Sequence, residues 1–239
     1  MTGFVDTHSH MVPSGDDGVE SVEEAVGLVA EAGHRGTAVQ YATPHAMVRH
    51  PVTEQRRRGV LAARERIRER LDGSVDFRLG WEITPEPWLL ESDPRDLSME
   101  GLRACLMELP LSRPRSFDLV IACAEHIEEA GLTPILAHPE RCALVIDEPH
   151  WVTRFRRRGW LIQVNASSLS GRHGTEPRDL GWALVEAGSA DLVGSDGHRA
   201  NRPPHLDGAF EAVSERIGRE RALPLFTGAA LEPLAVVPK

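Results

Sequence analysis

The sequence predicts an α/β fold, a TIM-like barrel of parallel strands in a single domain spanning 1–239. Three features carry that expectation. Seven apolar strand-like runs alternate with helical patterns, glycines recur where the helical patterns stop, and histidines or carboxylates recur where the strand runs stop. Helix–glycine–strand units in series imply parallel strands joined by helical crossovers. Seven such strands fit a barrel one short of the usual eight.

The first run, Phe4–His8, leads into a helix whose Val22, Ala25, Val26, Val29 and Ala30 follow the i, i+3, i+4, i+7 rule. Ser21 followed by Glu24 gives that helix a capping box. After the second run, Thr37–Ala42, a helix over Glu54–Leu71 turns Val60, Ala63, Ile67 and Leu71 inward. Its arginines and glutamates read as a solvated face. The remaining runs are Asp76–Trp81, Ala104–Leu109, Thr133–Ala137, Trp160–Asn165 and Ala190–Ser195, followed by a helix striped with Leu206, Ala209, Phe210, Val213 and Ile217. Gly33, Gly36, Gly131, Gly159 and Gly188 stand where a left-handed helix stop is wanted.

A net charge of −9 argues against a general nucleic-acid or membrane-surface binder. No apolar run approaches the ~18–20 residues of a membrane span. The chain enters its first strand at once, so a cytoplasmic protein without a signal peptide is expected. Its one lysine is Lys239, which leaves no Walker-A or Schiff-base lysine in the body of the chain. Cys105, Cys123 and Cys142 lack CxxC spacing and are read as small buried apolar residues.

Strand residues two apart share a face, so His8 and His10 can grip one cation from the end of the first strand, with Asp6 as a supporting partner on the same side. Asp196 and His198 repeat the spacing after the last run, and barrel closure would make these two ends neighbours. Glu82 ends an apolar-flanked run, where an unpaired carboxylate is costly to bury, so it is read as a cation ligand. For Glu108 a cation and a structural salt bridge both remain open. His138 also stands at a strand tip; His34, His50, His126, His150 and His173 fall outside the pattern and read as surface or loop residues. Histidine and carboxylate ligation without thiolate suits Mn²⁺, Fe²⁺, Zn²⁺ or Mg²⁺. Two or three such ions activate water and clamp the oxygens of a phosphate ester.

The ordered motifs Asp6-x-His8-x-His10, Asp16-Asp17-Gly18, strand-end His45, Gly80-x-Glu82-Ile83, His138-Pro139-Glu140-Arg141 and Ser195-Asp196-x-His198 resemble the polymerase and histidinol phosphatase (PHP) superfamily. Within it the chain most resembles the manganese-dependent protein-tyrosine phosphatases of bacterial capsule and exopolysaccharide synthesis. The likeness extends through Gln163–Arg172 to Arg202-Pro203-Pro204-His205. That resemblance implies a distorted seven-stranded barrel with three divalent ions, Mn²⁺ first, with Fe, Zn, Mg or Co as alternatives. It places His8, His10, Glu82 and Asp196 on one ion. Glu82 bridges to a second, completed by Glu108 and His138, and Asp17, His45 and His198 hold the third. Arg141 and Arg202 take the substrate phosphate, and a metal-bridging hydroxide attacks phosphorus. The implied substrate is phosphotyrosine in a protein, a bacterial tyrosine kinase above all. The likeness breaks at 46–51, which lacks a basic run, and at 84–100, which is rich in Pro, Glu and Asp.

The cysteines agree with hydroxide attack, since residues 111, 129 and 148, six positions after them, are Leu, Glu and Glu, so no Cys-x5-Arg loop exists. Phenolate, with a pKa of about 10, leaves with little or no proton donation. A small-molecule phosphatase of the histidinol-phosphate kind is the nearest rival. A nuclease is disfavoured by the acidic charge. A non-catalytic metal-binding module would be expected to show a broken ligand set, and every motif position here is filled.

Overall fold

The structure is a computed structural model describing residues 3–112 and 116–236. Lys239 lies outside the described residues. In order the elements are β1 (Phe4–Asp6), α1 (Val22–His34), β2 (Thr37–Ala42), β3 (His45–Ala46), α2 (Glu54–Leu71), β4 (Asp76–Leu79), β5 (Glu82–Ile83), β6 (Ala104–Glu108), α3 (Asp118–Glu129) and β7 (Thr133–Ala137). There follow α4 (Ala143–Asp147), α5 (His150–Arg157), β8 (Leu161–Asn165), α6 (Ala166–Leu169), α7 (Thr175–Glu186), β9 (Leu192–Gly194), α8 (Asp207–Ile217) and α9 (Arg219–Thr227).

Every ladder between these strands is parallel. The helices connect strand to strand as the alternation predicts. The closed seven-stranded barrel is not what the ladders form. Among the described residues they make two sheets, β1-β2-β4 and β3-β5-β6-β7-β8-β9. The second expected run, Thr37–Ala42, forms β2 in full and the third, Asp76–Trp81, ends as β4 at Leu79; after each the chain resumes as a short strand, β3 past Thr43-Pro44 and β5 past Gly80-Trp81. Pro44 has no N–H to give a ladder, so the pairing there is carried by single bonds. Gly80 N donates to Ala42 O (2.9 Å) and Glu82 N to Pro44 O (3.1 Å). Between the first and last strands the seam is one bridge, Ser9–Gly197, flanked by Asp196 N to His8 O (2.8 Å) and His10 N to Gly197 O (2.7 Å).

Strand alternation sorts the apolar side chains into two bodies. Tyr41, Leu106, Ile135, Ala137 and Leu192 form an inner cluster, while Cys105, Met107, Leu136, Ile162 and Val193 join the larger core under the helices. Both faces of the strands are therefore covered, as parallel sheets require. In α1 the predicted stripe is buried at Val22, Ala25 and Val29, and in α2 at Val60, Ala63, Ile67 and Leu71. Ser21 and Thr53 cap these helices by accepting from Glu24 N (3.1 Å) and Arg56 N (3.2 Å). Gly36, Gly131, Gly159 and Gly188 take positive φ as helix stops. Gly33 does not, and stays inside α1.

Candidate metal centre

Because the strands are parallel, their C-terminal ends open on one side. His8 lies two residues past β1, His45 opens β3, Glu82 opens β5, Glu108 closes β6, His138 follows β7 and Asp196 lies two past β9. All nine predicted histidines and carboxylates meet there. Their donor atoms fall into the sets His10–Asp17–His45–His198, His8–His10–Glu82, His8–His138–Asp196 and His45–Glu82–Glu108, each within 4.8 Å. Glu108 thus faces the cluster, with Oε1 3.7 Å from His138 Nε2. His10 contributes to the Asp17 set as well as to the set with Glu82, so the groups are shared rather than separate.

The spacing decides what the cluster can hold. Glu82 Oε1 is 3.2 Å from His8 Nε2 and 3.0 Å from His138 Nε2, while Glu82 Oε2 is 3.2 Å from His10 Nε2 and 3.0 Å from His45 Nδ1. Asp17 Oδ1 is 3.5 Å from His45 Nε2 and 3.4 Å from His198 Nε2. Ligands about 2.1 Å from one ion stand about 3.0–3.4 Å apart at right-angle or tetrahedral openings. Yet His8 Nε2, both ring nitrogens of His10, His45 Nδ1 and Glu82 Oε2 are buried without a hydrogen-bond partner. Such atoms are normally satisfied. They belong to the sets whose donor atoms lie within 4.8 Å of one another, the spacing of a cation site.

The electrostatics agree. Burial opposes charge on Glu82, but His8 and His45 outweigh it and hold the carboxyl well below its usual range. His10 is pushed up to about 9, with burial outweighed by Asp16 and Glu82, and His45 to about 11, with burial outweighed by Glu82 and Asp17. Burial and the neighbouring Glu82 charge push Glu108 up to about 8. His138 is driven the other way, since burial keeps its ring neutral. The carboxylates hold protons on imidazoles whose lone pairs suit a metal.

Asp196 joins two halves of the site. Its Oδ1 faces His8 (3.5 Å), His10 (3.7 Å) and His198 (3.5 Å). Its Oδ2 takes Arg141 Nη1 (2.9 Å), Asn165 Nδ2 (2.6 Å) and the Arg202 guanidinium. Both arginines therefore stand beside the cluster, each spending one guanidinium nitrogen on Asp196. Asp196 (φ 52°) and His138 (φ 34°) hold left-handed backbone that non-glycine residues adopt at a cost of roughly 1–3 kcal/mol.

Several supporting residues escaped the sequence reading. Gln163 Oε1 lies 2.9 Å from His8 Nδ1, and its amide nitrogen donates to Val164 O and Asn165 Oδ1. Gly194 lets this pair approach: a Cβ there would lie 2.9 Å from Gln163 Nε2 and 3.0 Å from His8 Cβ. The alternation of Gln163 and Asn165 in an otherwise apolar strand is the signal that could have found them. Asp6, expected as a supporting partner on the His8 side, accepts from His8 N (3.3 Å) and also ties β1 to β2 and the β9 end. It accepts from Gln40 Nε2 (2.8 Å), Ser195 N (2.9 Å) and Ser195 Oγ (2.6 Å). His173, read as a surface residue, is half-buried with Nε2 2.9 Å from Ser167 Oγ. Burial, Arg141 and Arg202 push its ring down to about 4. The arginine run of α2 is also not wholly solvated, because Arg56 and Arg64 fold inward.

The sequence model for capsular polysaccharide synthesis, CpsB/CapC, matches residues 4–234. The chain belongs to the CpsB/CapC family. Among its relatives, tyrosine-protein phosphatase YwqE of Bacillus subtilis (strain 168) is 26% identical over 91% of this chain and 86% of that protein. Tyrosine-protein phosphatase CpsB of Streptococcus pneumoniae is 27% identical over 93% and 95%. A crystal structure from the pair YwqE and CpsB, described as unique metal-dependent tyrosine phosphatases, superimposes with a TM-score of 0.82. It is 22% identical, covers 98% of this chain and 100% of its own, and speaks for the fold alone. A lactonase of Listeria monocytogenes, Lmo2620, shares that fold at a TM-score of 0.60, 11% identity and coverage of 100% and 96%. Fold likeness therefore does not fix the activity, and the CpsB/CapC assignment rests on the sequence match. No helix among the described residues is long and apolar enough to cross a membrane.

Proposed function

We propose that this CpsB/CapC chain is a metal-dependent protein-tyrosine phosphatase of one domain, acting in the cytoplasm on a bacterial tyrosine kinase of polysaccharide synthesis. The observation that carries the reading is Asp196, with one carboxylate oxygen in the imidazole cluster and the other under Arg141 and Arg202. An anion held by the two arginines lies next to the place where cations gather.

Three divalent ions fit the donor set, Mn²⁺ first, with Fe, Zn, Co and Mg sharing the same nitrogen and oxygen preference. His8, His10, Glu82 and Asp196 would hold one, Glu82, Glu108 and His138 a second, and Asp17, His45 and His198 the third. When bound, such ions neutralise phosphoryl charge and make water acidic enough to supply a nucleophile near neutral pH. The chain's own residues do the rest. Arg141 and Arg202 offer planar forks that match phosphate oxygens. Gln163 orients His8, and Asn165 keeps Asp196 in register with both arginines. The buried floor of His8, His10 and Glu82 keeps bulk water from the base of the site. Phenolate is a good leaving group, so no residue has to donate a strong acid proton.

Manganese-loaded protein should hydrolyse a phosphotyrosyl peptide, lose that activity to a chelator and recover it when Mn²⁺ is restored. Histidinol phosphate and an oligonucleotide, assayed beside it, should be poorer substrates. Inertness toward aryl phosphates, or faster turnover of histidinol phosphate, would overturn the proposal.

A further inference from the structure

Arg56 carries the outer helix α2 into the support of the metal cluster. Thr53 caps α2 by accepting Arg56 N (3.2 Å), which sets Arg56 in the first turn. From there its side chain, 13% exposed, crosses two separate loops. Nη1 donates to His45 O (2.8 Å) and His50 O (2.7 Å), while Nε donates to Ser14 O (2.9 Å) and Nη2 to Ser14 Oγ (3.2 Å). The first loop carries His45, and the second leads within three residues to Asp17. The guanidinium carbon stands 5.3 Å from the centre of the Trp81 ring, the residue before Glu82. Its nearest carboxylate is Asp16, at 3.8 Å, which itself accepts from His45 N (2.9 Å) and Gly18 N (3.1 Å).

A charge placed so deep is costly unless its donors are met. Here the donors are spent on backbone oxygens of the two loops that bring Asp17 and His45 together. Ser14 lies outside any strand or helix and His45 opens the two-residue β3, so the separation of the two side chains depends on what crosslinks those two segments. A planar fork can serve oxygens on two sides at once; an ammonium on a flexible stem cannot hold the same set.

We infer that Arg56 is a positioning residue for the His10–Asp17–His45–His198 cluster, fixing the two ligand-bearing loops at the separation a divalent ion needs. The inference rests on the three-ion reading above. It is tested by counting Mn²⁺ per chain, by native mass spectrometry and manganese titration, in wild type, His45→Ala, Arg56→Lys and Arg56→Gln. Thermal melts in chelator report the fold separately. Wild type should carry one more ion than His45→Ala. Arg56→Lys and Arg56→Gln should lose that same ion at manganese concentrations that saturate wild type and regain it at concentrations at least tenfold higher. Their chelated forms should still melt cooperatively. Unchanged ion count and affinity in both Arg56 variants would overturn the inference, and so would loss of the fold in both, which would make Arg56 a structural staple. If wild type itself binds no more ions than His45→Ala, the three-ion reading fails and takes the inference with it.

Discussion

Gln163 Oε1 stands 2.9 Å from Nδ1 of His8, a residue 155 positions earlier in the chain. An amide oxygen only accepts, so a neutral His8 ring carries its proton on Nδ1 and turns the lone pair of Nε2 toward Glu82 and Asp196. The amide cannot flip without losing its donations to Val164 O (2.8 Å) and Asn165 Oδ1 (3.0 Å). One glutamine thus fixes a metal-facing tautomer.

Replacing Gln163 by Leu should therefore weaken manganese binding by about 10- to 100-fold without removing a ligand. Calorimetric titration of chelator-stripped protein measures this directly. An affinity equal to wild type would show that His8 is oriented by other contacts.

Arg141→Ala and Arg202→Ala should each raise KM for a phosphotyrosyl peptide by about tenfold or more, the value of one charged hydrogen-bond donor. Metal content should stay intact, because Asn165 and the remaining arginine still hold Asp196 Oδ2. Steady-state kinetics with elemental analysis separates the two effects. Loss of metal in either variant would mean that the arginine supports the cluster rather than the substrate.

The pH behaviour should depend on whether metal is present. In chelator His10, raised to about 9, and His45, raised to about 11, stabilise the fold fully below about 6.5, the usual histidine range. That stability is lost as pH climbs through 9 and 11. Burial raises Glu108 to about 8 and Glu140 to about 7, so these carboxyls too favour the fold less as pH rises from the usual carboxylate range. Glu82 and Asp196 are held low, and their contribution disappears only in acid. The chelated protein should melt highest in mildly acidic buffer and progressively lower from about pH 6.5 to 9. Added Mn²⁺ must displace those protons, so the stabilisation it brings should grow over the same window. A manganese increment that shrinks with pH would contradict this.

Thiol reagents should leave activity unchanged. Cys105, Cys123 and Cys142 are buried, and burial pushes the Cys105 thiol up to about 12 and Cys123 to about 11. Thiols so protonated are poor nucleophiles. Iodoacetamide treatment of the native protein, followed by assay, checks this, and stoichiometric inactivation would point to a cysteine in the chemistry.

Much of the frame was legible because it is local. α1 follows from a stripe and a capping box, α2 from a stripe, and β2 and β7 from apolar runs of the right length. Most of the nine convergent residues were legible from their recurrence after strand runs, since parallel strands bring such positions to one end whatever the sheet's detail; Asp17, in the loop after β1, came only with the family resemblance. The pairing of the strands was less legible. The run expected over Asp76–Trp81 ends at Leu79, and the short strands β3 and β5 resume past Pro44 and Trp81 in a second sheet, leaving two sheets rather than a closed ladder. Asp6, legible as a support for His8, also clips β1 to β2 and to Ser195.

What the chain determined by itself is periodic: which segments are helix or strand, which face is apolar, and where ligands recur. What only the tertiary structure decided is which polar side chains meet across long separations. Gln163 finds His8, Arg56 finds Ser14 and His50, and Asp196 divides its two oxygens between imidazoles and arginines. Periodicity records the burial of a face, a sum over many weak contacts. A hydrogen bond depends on direction and on a few tenths of an ångström, and only the folded backbone sets those.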